Sequence, residues 1–181
     1  MIRLGDTGGV FDTITARIKS RCDDHDSVRQ ILGSHGASHL GLDHQIDTYF
    51  DVPNAMFKIR EGNIESFFVY VTSLDNQRCS VFFNTLPPNS RAVDYIPKEL
   101  KTLVVVYKKR DIYQVDSVRF NLDDVRKLGR FVSIDVRDPS DKMPYSSMLE
   151  KLLLYSDMLK INIGDCITSS YASLMLGRLR S

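Results

Sequence analysis

The 181-residue chain, 43% hydrophobic and 26% charged, has the balance and length of a globular domain that buries its own core. Its net charge of +1 excludes a broad nucleic-acid surface, and no apolar run reaches the roughly 20 residues that a membrane helix needs. Three scattered cysteines, Cys22, Cys79 and Cys166, predict reduced thiols rather than a disulfide framework. Because the first residues also lack a secretory apolar segment, we expect a cytoplasmic location.

Hydrophobic alternation and turn residues divide the first half of the chain into strands around one short helix. A strand is predicted over Phe11–Cys22, followed by a helix over Ser27–Ser34 that Asp24 or Asp26 would cap. Four further strands are expected between segments rich in Pro, Asn and Gly. Their predicted bounds are His44–Asp51, Ala55–Arg60, Ser66–Thr72 and Cys79–Asn84.

The second half continues with strands and closes with helices. A short helix is predicted over Val93–Leu100, interrupted by Pro97. Three strands are then expected at Thr102–Arg110, Ile112–Asn121 and Arg130–Val136, and two helices at Ser146–Leu159 and Asp165–Leu176. Asp124 is expected in a turn before Gly129.

These elements predict the fold class and the domain organisation. Residues 1–10 are expected to be a flexible lead-in, and residues 11–181 a single domain. Eight strands with few helices favour an α+β fold in which an antiparallel β-barrel is covered by helices.

Basic residues recur at alternate positions on four of the predicted strands. Side chains two residues apart share one face of a strand, so Arg17 and Lys19 face away from Ala16 and Ile18. The complete alternating set is Arg17, Lys19, Arg21, Lys58, Arg60, Lys108, Arg110 and Arg119. Inside a barrel these cations would repel one another unless an anion lay between them, and a polyphosphate meets that need. On the outer wall they would simply pair with carboxylates, and alternation alone leaves both interpretations open.

Three blocks of sequence carry a family resemblance. Asp43–Gly62 (DHQIDTYFDVPNAMFKIREG) is similar to the Q-x-D-T-Y-F-D-x-P…L-K-L-R-E-G block of class IV adenylyl cyclases. Val104–Val136 resembles their V-x-K-x-R-x-L-Y…V-R-x-H-L-D-x-V-x-x-L-G-x-F-x-E-x-E stretch, and Ser169–Leu176 resembles their G-S-Y-x-D-L-L ending. The order of the blocks identifies the chain as resembling the CYTH superfamily, which also includes thiamine-triphosphatase-like enzymes.

The resemblance implies an eight-stranded antiparallel tunnel that binds triphosphates. Members make cyclic AMP from ATP or hydrolyse triphosphates, with a divalent metal held by acidic residues and with phosphates gripped by basic strand residues. The resemblance assigns phosphate binding to Lys19, Arg21, Lys58, Arg60, Lys108, Arg110 and Arg119, and leaves Asp123 and Asp135 as the remaining metal ligands. Arg17, which has no basic counterpart in the family pattern, is expected to neutralise phosphate oxygens in place of the metal. Similar cyclases are often dimeric, so the resemblance also implies a homodimer.

The chain departs from the family pattern where the metal would bind. The family's E-x-E-x-K-x-R strand is Thr15-x-Arg17-x-Lys19-x-Arg21 here, and its later E-x-E is Ser133-x-Asp135. At about 4 Å and an effective dielectric near 20, Arg17 would repel each unit of positive charge on a metal by roughly 4 kcal/mol. Binding of Mg²⁺ or Mn²⁺ is therefore in doubt.

Three functional hypotheses follow from these patterns. The first is a protein that binds nucleoside triphosphate, triphosphate or polyphosphate with weakened or absent catalysis. The second is an active metal-dependent adenylyl cyclase or triphosphate phosphohydrolase, and the third is a non-catalytic scaffold for a protein partner. Missing acidic residues favour the first over the second, and the basic strands favour both over the third. No catalytic residue is predicted.

Overall fold

A computed structural model describes residues 15–73, 79–137 and 142–179. The eight strands are β1 (Thr15–Arg21), β2 (Ser38–Phe50), β3 (Ala55–Glu61), β4 (Ser66–Ser73), β5 (Cys79–Leu86), β6 (Thr102–Val115), β7 (Val118–Val125) and β8 (Gly129–Arg137). The three α-helices are α1 (His25–Ser34), α2 (Tyr145–Met158) and α3 (Tyr171–Leu179). Short 3₁₀ turns lie at Ala92–Tyr95 and Ile163–Asp165.

The strands hydrogen-bond in the order β1-β8-β7-β6-β2-β3-β4-β5. β8 pairs antiparallel with β1 and β7, and the β2-β3-β4-β5 series is antiparallel throughout. The predicted α+β class with eight antiparallel strands is therefore confirmed. The expected lead-in over residues 1–10 lies outside the described residues, and the single domain over 11–181 stays a prediction.

Two compact units make up the chain, and the second of them is built from residues 14–42 and 109–169. In it, β1, β7 and β8 turn one apolar face toward α1 and α2, with Phe120 and Ile134 fully buried between them. Asp24 caps α1 by accepting a hydrogen bond from the Ser27 amide at 3.0 Å, as one of the two predicted caps. Ala16 belongs to this core and Ile18 packs against it, so the basic side chains of β1 occupy the other face of the strand.

The first unit contains residues 43–108 and α3. In this unit, β3 alternates between a face with Lys58 and Arg60 and an opposite face with Phe57 and Ile59. Phe57 and Ile59 line an open apolar pocket of about 290 Å³, which Ala92 and Tyr95 also line. None of the helices in the described ranges combines the length and the apolar character needed to cross a membrane.

The predicted break between two strands at Asp111 is wrong. β6 runs through this position and turns only at Asp116, which has a φ of +48° that Asp tolerates better than most residues. Asp111 can lie inside a strand because its carboxylate accepts hydrogen bonds from Arg29 at 2.8 Å and from His39 at 2.6 Å. The two hydrogen bonds satisfy the carboxylate charge of Asp111, the residue at which the sequence analysis separated two strands.

Two other expectations about element ends are also wrong. Asp124 lies on β7 rather than in a turn, and the turn comes afterwards, with Lys127 at a φ of +69°. The last helix begins at Tyr171 instead of Asp165, because the Ser170 hydroxyl accepts a hydrogen bond from the Ser173 amide and caps it there.

Candidate functional site

Arg17 and Asp135 form the central ion pair of the second unit. The register of β1, β8 and β7 places Arg17 opposite Asp135, and Asp135 opposite Arg119. The Arg17 guanidinium donates to both carboxylate oxygens, through Nε to Oδ1 and through Nη2 to Oδ2, the latter at 3.0 Å. The row of Arg17, Asp135 and Arg119 therefore places a positive, a negative and a positive group on three neighbouring strands. Arg119 also donates a hydrogen bond to Asn121 Oδ1 at 3.0 Å.

Asn121 holds the Asp135 carboxylate from the neighbouring strand. Its Nδ2 donates to Asp135 Oδ2 at 3.2 Å and to Ser133 Oγ at 3.1 Å. Both Asn121 and Asp135 are buried, with exposures of 0% and 1%. A buried carboxylate with this many donors has a fixed orientation and retains its charge.

Asp123, the other predicted metal ligand, is held in the same manner by Arg110. Arg110 Nε and Nη2 each lie 2.7 Å from an Asp123 oxygen, in the forked geometry that arginine favours. Asp123 is 1% exposed. The structure thus gives both predicted metal ligands an arginine as an immediate partner.

Lys19 lies within electrostatic range of both ion pairs. Its ammonium donates to the Ser169 carbonyl oxygen. Burial lowers the Lys19 pKa, the positive charges of Arg17 and Arg110 lower it further, and Asp123 opposes them only in part. The lysine therefore lies in a field in which positive charge predominates.

Asp135 remains charged in this environment. Burial raises the pKa of Asp135, but the positive charges of Arg17, Arg137 and Arg110 outweigh burial and hold that pKa below its ordinary value. Arg137 contributes from 3.9 Å. Among the residues that the structure describes, four cations thus act around Asp123 and Asp135, namely Arg17, Lys19, Arg110 and Arg137.

Arg21 occupies a different place from the other basic residues of β1. Its Nη1 donates to the Leu128 carbonyl at 3.0 Å, and its guanidinium lies 5.1 Å from the Phe131 ring centre. These contacts direct the side chain to the turn between β7 and β8. Alternation predicted the face of β1 that carries Arg21 but could not predict this local anchor.

The first unit contains an independent cluster around Asp47. Arg60 donates to both Asp47 oxygens, at 2.6 and 2.9 Å, and Lys108 Nζ lies 2.5 Å from Oδ2. Burial raises the pKa of Asp47, but Arg60, Lys108 and Lys58 outweigh it and hold the pKa well below its ordinary range. All three predicted cations of this unit therefore act on one carboxylate.

Aromatic rings surround the same cations. Lys58 Nζ lies 5.7 Å from the centre of the Tyr49 ring and 4.9 Å from that of Phe67, and the Arg60 guanidinium lies 4.7 Å from Phe67. Such rings attract cations through their negative faces. They orient Lys58 without neutralising its charge.

Asp47 is the residue of this cluster that the sequence analysis did not single out. It lies in the QIDTYFD block, and a usable signal was present there: Asp43, Gln45 and Asp47 alternate along β2. All three are buried, at 0%, 1% and 2% exposure. A row of alternating polar residues in a strand that also carries hydrophobic residues indicates a buried polar face.

The carboxylates do not fit a metal site of the kind that the resemblance implies. Mg²⁺ needs carboxylate oxygens that can turn toward it, but the oxygens of Asp123 and Asp135 are engaged by Arg110 and Arg17. Within 15–73, 79–137 and 142–179, no group of three or more His, Cys, Asp and Glu side chains could hold a metal ion.

Comparisons with known proteins agree with the described fold. The family model of the CYTH domain matches residues 16–171. The PH1012 protein from Pyrococcus horikoshii OT3 superposes with a TM-score of 0.72 at 22% identity, covering 89% of this chain and 99% of the other. No curated protein matches the chain in sequence.

Two further solved structures share the fold. A Vibrio parahaemolyticus protein described as a candidate adenylate cyclase has a TM-score of 0.73 at 15% identity, covering 94% of this chain and 99% of its own. The Hippeastrum protein HpAC1, described as revealing a dominant triphosphatase activity, has a TM-score of 0.64 at 14% identity, with coverages of 92% and 96%.

Proposed function

Because this chain belongs to the CYTH domain family, we propose that it binds nucleoside triphosphate or inorganic polyphosphate through the basic residues of its strands, with weakened or absent catalysis. The residues proposed to bind phosphate are Arg17, Lys19, Arg21, Lys58, Arg60, Lys108, Arg110 and Arg119. The description of HpAC1, a protein of the same fold, supports a triphosphate as the ligand class.

One observation carries this proposal: in the described part of the chain, four cations gather around the two buried carboxylates Asp123 and Asp135. Arg17 and Arg110 pair directly with these carboxylates, and Lys19 and Arg137 place two more positive groups beside them. Burial is the largest cause of the lowered pKa of Lys19, and the positive charges of Arg17 and Arg110 lower that pKa further. A multiply charged anion would remove the repulsion and gain charge-assisted hydrogen bonds.

Weakened catalysis is proposed because the acidic positions of the family pattern are replaced. Thr15 and Arg17 stand where the first strand has two glutamates, and Ser133 stands where the later strand has one. A bound metal supplies Lewis acidity toward phosphoryl oxygens and activates a nucleophile. Cations from side chains can stabilise phosphate charge but do not lower the pKa of a water molecule in this way.

The test is calorimetric titration of the purified protein with tripolyphosphate and with ATP, with product analysis of the same samples. Lys19→Gln removes one charge without leaving a buried carboxylate unpaired, and it should weaken binding about tenfold or more. Lys109→Gln is the matched control, since Lys109 is an exposed lysine between Lys108 and Arg110 on β6. Equal affinities for both variants and the parent would contradict the proposal.

Product analysis separates the remaining hypotheses. Turnover of ATP to cyclic AMP, or release of phosphate from tripolyphosphate, would establish an active enzyme and refute weakened catalysis. Absence of binding to either ligand would leave the scaffold hypothesis, for which a protein partner would have to be sought.

A further inference from the structure

Arg17 has an accessible surface that its partner lacks. The Arg17 side chain is 54% exposed, whereas that of Asp135 is 1% exposed. The carboxylate therefore lies beneath the guanidinium, and a ligand approaching from solvent meets Arg17 first. Since guanidinium groups bind phosphate oxygens in the same forked geometry as carboxylates, Arg17 is suited to contact such a ligand.

A divalent cation would have to displace this arrangement in order to bind. It would need to take the Asp135 oxygens from Arg17 and Asn121, and those of Asp123 from Arg110. The displaced guanidiniums would remain close to the metal, and their charge would oppose its binding. The guanidinium groups of Arg17 and Arg110 carry positive charge that can neutralise phosphate oxygens, as the charge of a metal ion would.

We infer that Arg17 takes the place of the divalent cation, so that this chain binds polyphosphate in its metal-free form. The inference rests on the proposed function and narrows its ligand from a metal–triphosphate complex to the free polyanion. Metal ions then act only in solution, where they bind the polyanion and cancel part of its charge. Millimolar Mg²⁺ should consequently weaken binding rather than strengthen it.

The first measurement is the affinity for tripolyphosphate in EDTA and in millimolar Mg²⁺ or Mn²⁺. We expect binding in EDTA to be at least as tight as binding with either metal. Binding that is about tenfold tighter with metal would overturn the inference and leave the proposed function standing. Absence of binding under every condition would refute the proposed function and the inference with it.

The second measurement tests the role of Arg17 itself. The double variant R17Q/D135N removes one positive and one negative charge together, so no buried carboxylate is left unpaired. Affinity in EDTA should fall about tenfold or more if Arg17 contacts phosphate, although the net charge is unchanged. Affinity equal to that of the K109Q control would overturn the inference, and urea unfolding of each variant verifies that it is folded.

The third measurement asks whether a carboxylate at position 17 creates a metal site. In Arg17→Glu, Mn²⁺ alone should raise the melting temperature, whereas it should leave that of the parent unchanged, as followed by calorimetry without any phosphate ligand. Stabilisation of the parent by Mn²⁺ to the same extent would show that Arg17 does not exclude metal and would overturn the inference.

Discussion

Lys108 Nζ lies 2.5 Å from Asp47 Oδ2, and both side chains are almost completely buried, at 0% and 3% exposure. The bidentate contact of Arg60 with the same carboxylate makes Asp47 the counter-ion of two buried cations. Removing one partner of a buried ion pair is costly because the remaining charge is left without compensation. The stability of the first unit should therefore depend on Asp47.

Asp47→Asn should lower the free energy of unfolding by about 3–5 kcal/mol, as measured by urea denaturation. The matched control is Asp94→Asn, which removes a carboxylate whose partner Arg91 is 79% exposed. Because an exposed pair contributes little, that variant should change the free energy by less than about 0.5 kcal/mol. Equal effects of the two variants would contradict the buried-pair interpretation.

The contribution of Asp47 should also depend on pH. Its folded pKa lies well below the ordinary value, so the stability it provides is fully present above the unfolded pKa of about 3.9. That stability is lost as pH falls through the folded pKa. The difference in urea midpoint between the parent and Asp47→Asn should therefore shrink below about pH 4, and a constant difference would refute the linkage.

Gly62→Ala should destabilise the protein because the position has no room for a side chain. An added Cβ would lie 2.5 Å from the Glu65 carbonyl oxygen and 2.7 Å from Asp43 Oδ1. Asp43 cannot withdraw easily, since it accepts hydrogen bonds from the Ile64 and Glu65 amides at 2.8 and 3.1 Å. We expect a loss of about 1–3 kcal/mol in urea unfolding.

Gly33→Ala is the control for that substitution. Gly33 lies in α1, where an added Cβ meets nothing within 4 Å. Alanine is the better helix former, so this variant should gain about 0.5–1 kcal/mol. Destabilisation by both variants would show that the space around Gly62 is not the determining factor.

Polyphosphate binding should couple to protonation of Lys19. Because the Lys19 pKa is lowered in the free protein, an anion that stabilises the ammonium should raise that pKa. Binding at alkaline pH should therefore take up protons, and affinity should fall as pH rises through the lowered pKa. Calorimetry in two buffers of different ionisation enthalpy measures this uptake, and the Lys19→Gln variant should lack it.

The strands and the basic faces could be predicted from the sequence because both follow from a period of two. Alternation placed Lys58 and Arg60 opposite Phe57 and Ile59, as the structure has them. The same period of two runs through Asp43, Gln45 and Asp47 on β2 and predicts a buried polar face, but it carries no information about which cations Asp47 meets.

The pairings themselves could not be predicted, because they join residues that are far apart in the chain. Asp47 meets Lys108 across 61 positions, and Arg17 meets Asp135 across 118. Such contacts depend on the strand order and register, which no local pattern specifies. Asp111 shows the same limit, since only its distant partners Arg29 and His39 explain why β6 continues through it.

The pairing of β1 with β8 has a consequence for synthesis on the ribosome. β1 stands at one end of the strand order, with β8 as its hydrogen-bonded neighbour, so its ladder cannot be completed until Arg137 has emerged. Until Asp135 has emerged, Arg17 cannot form its ion pair with that carboxylate. Contacts between residues that are more than 100 positions apart also form slowly, because a long loop of chain must be closed first. Completion of the β1–β8 ladder is therefore expected to be a late event in folding.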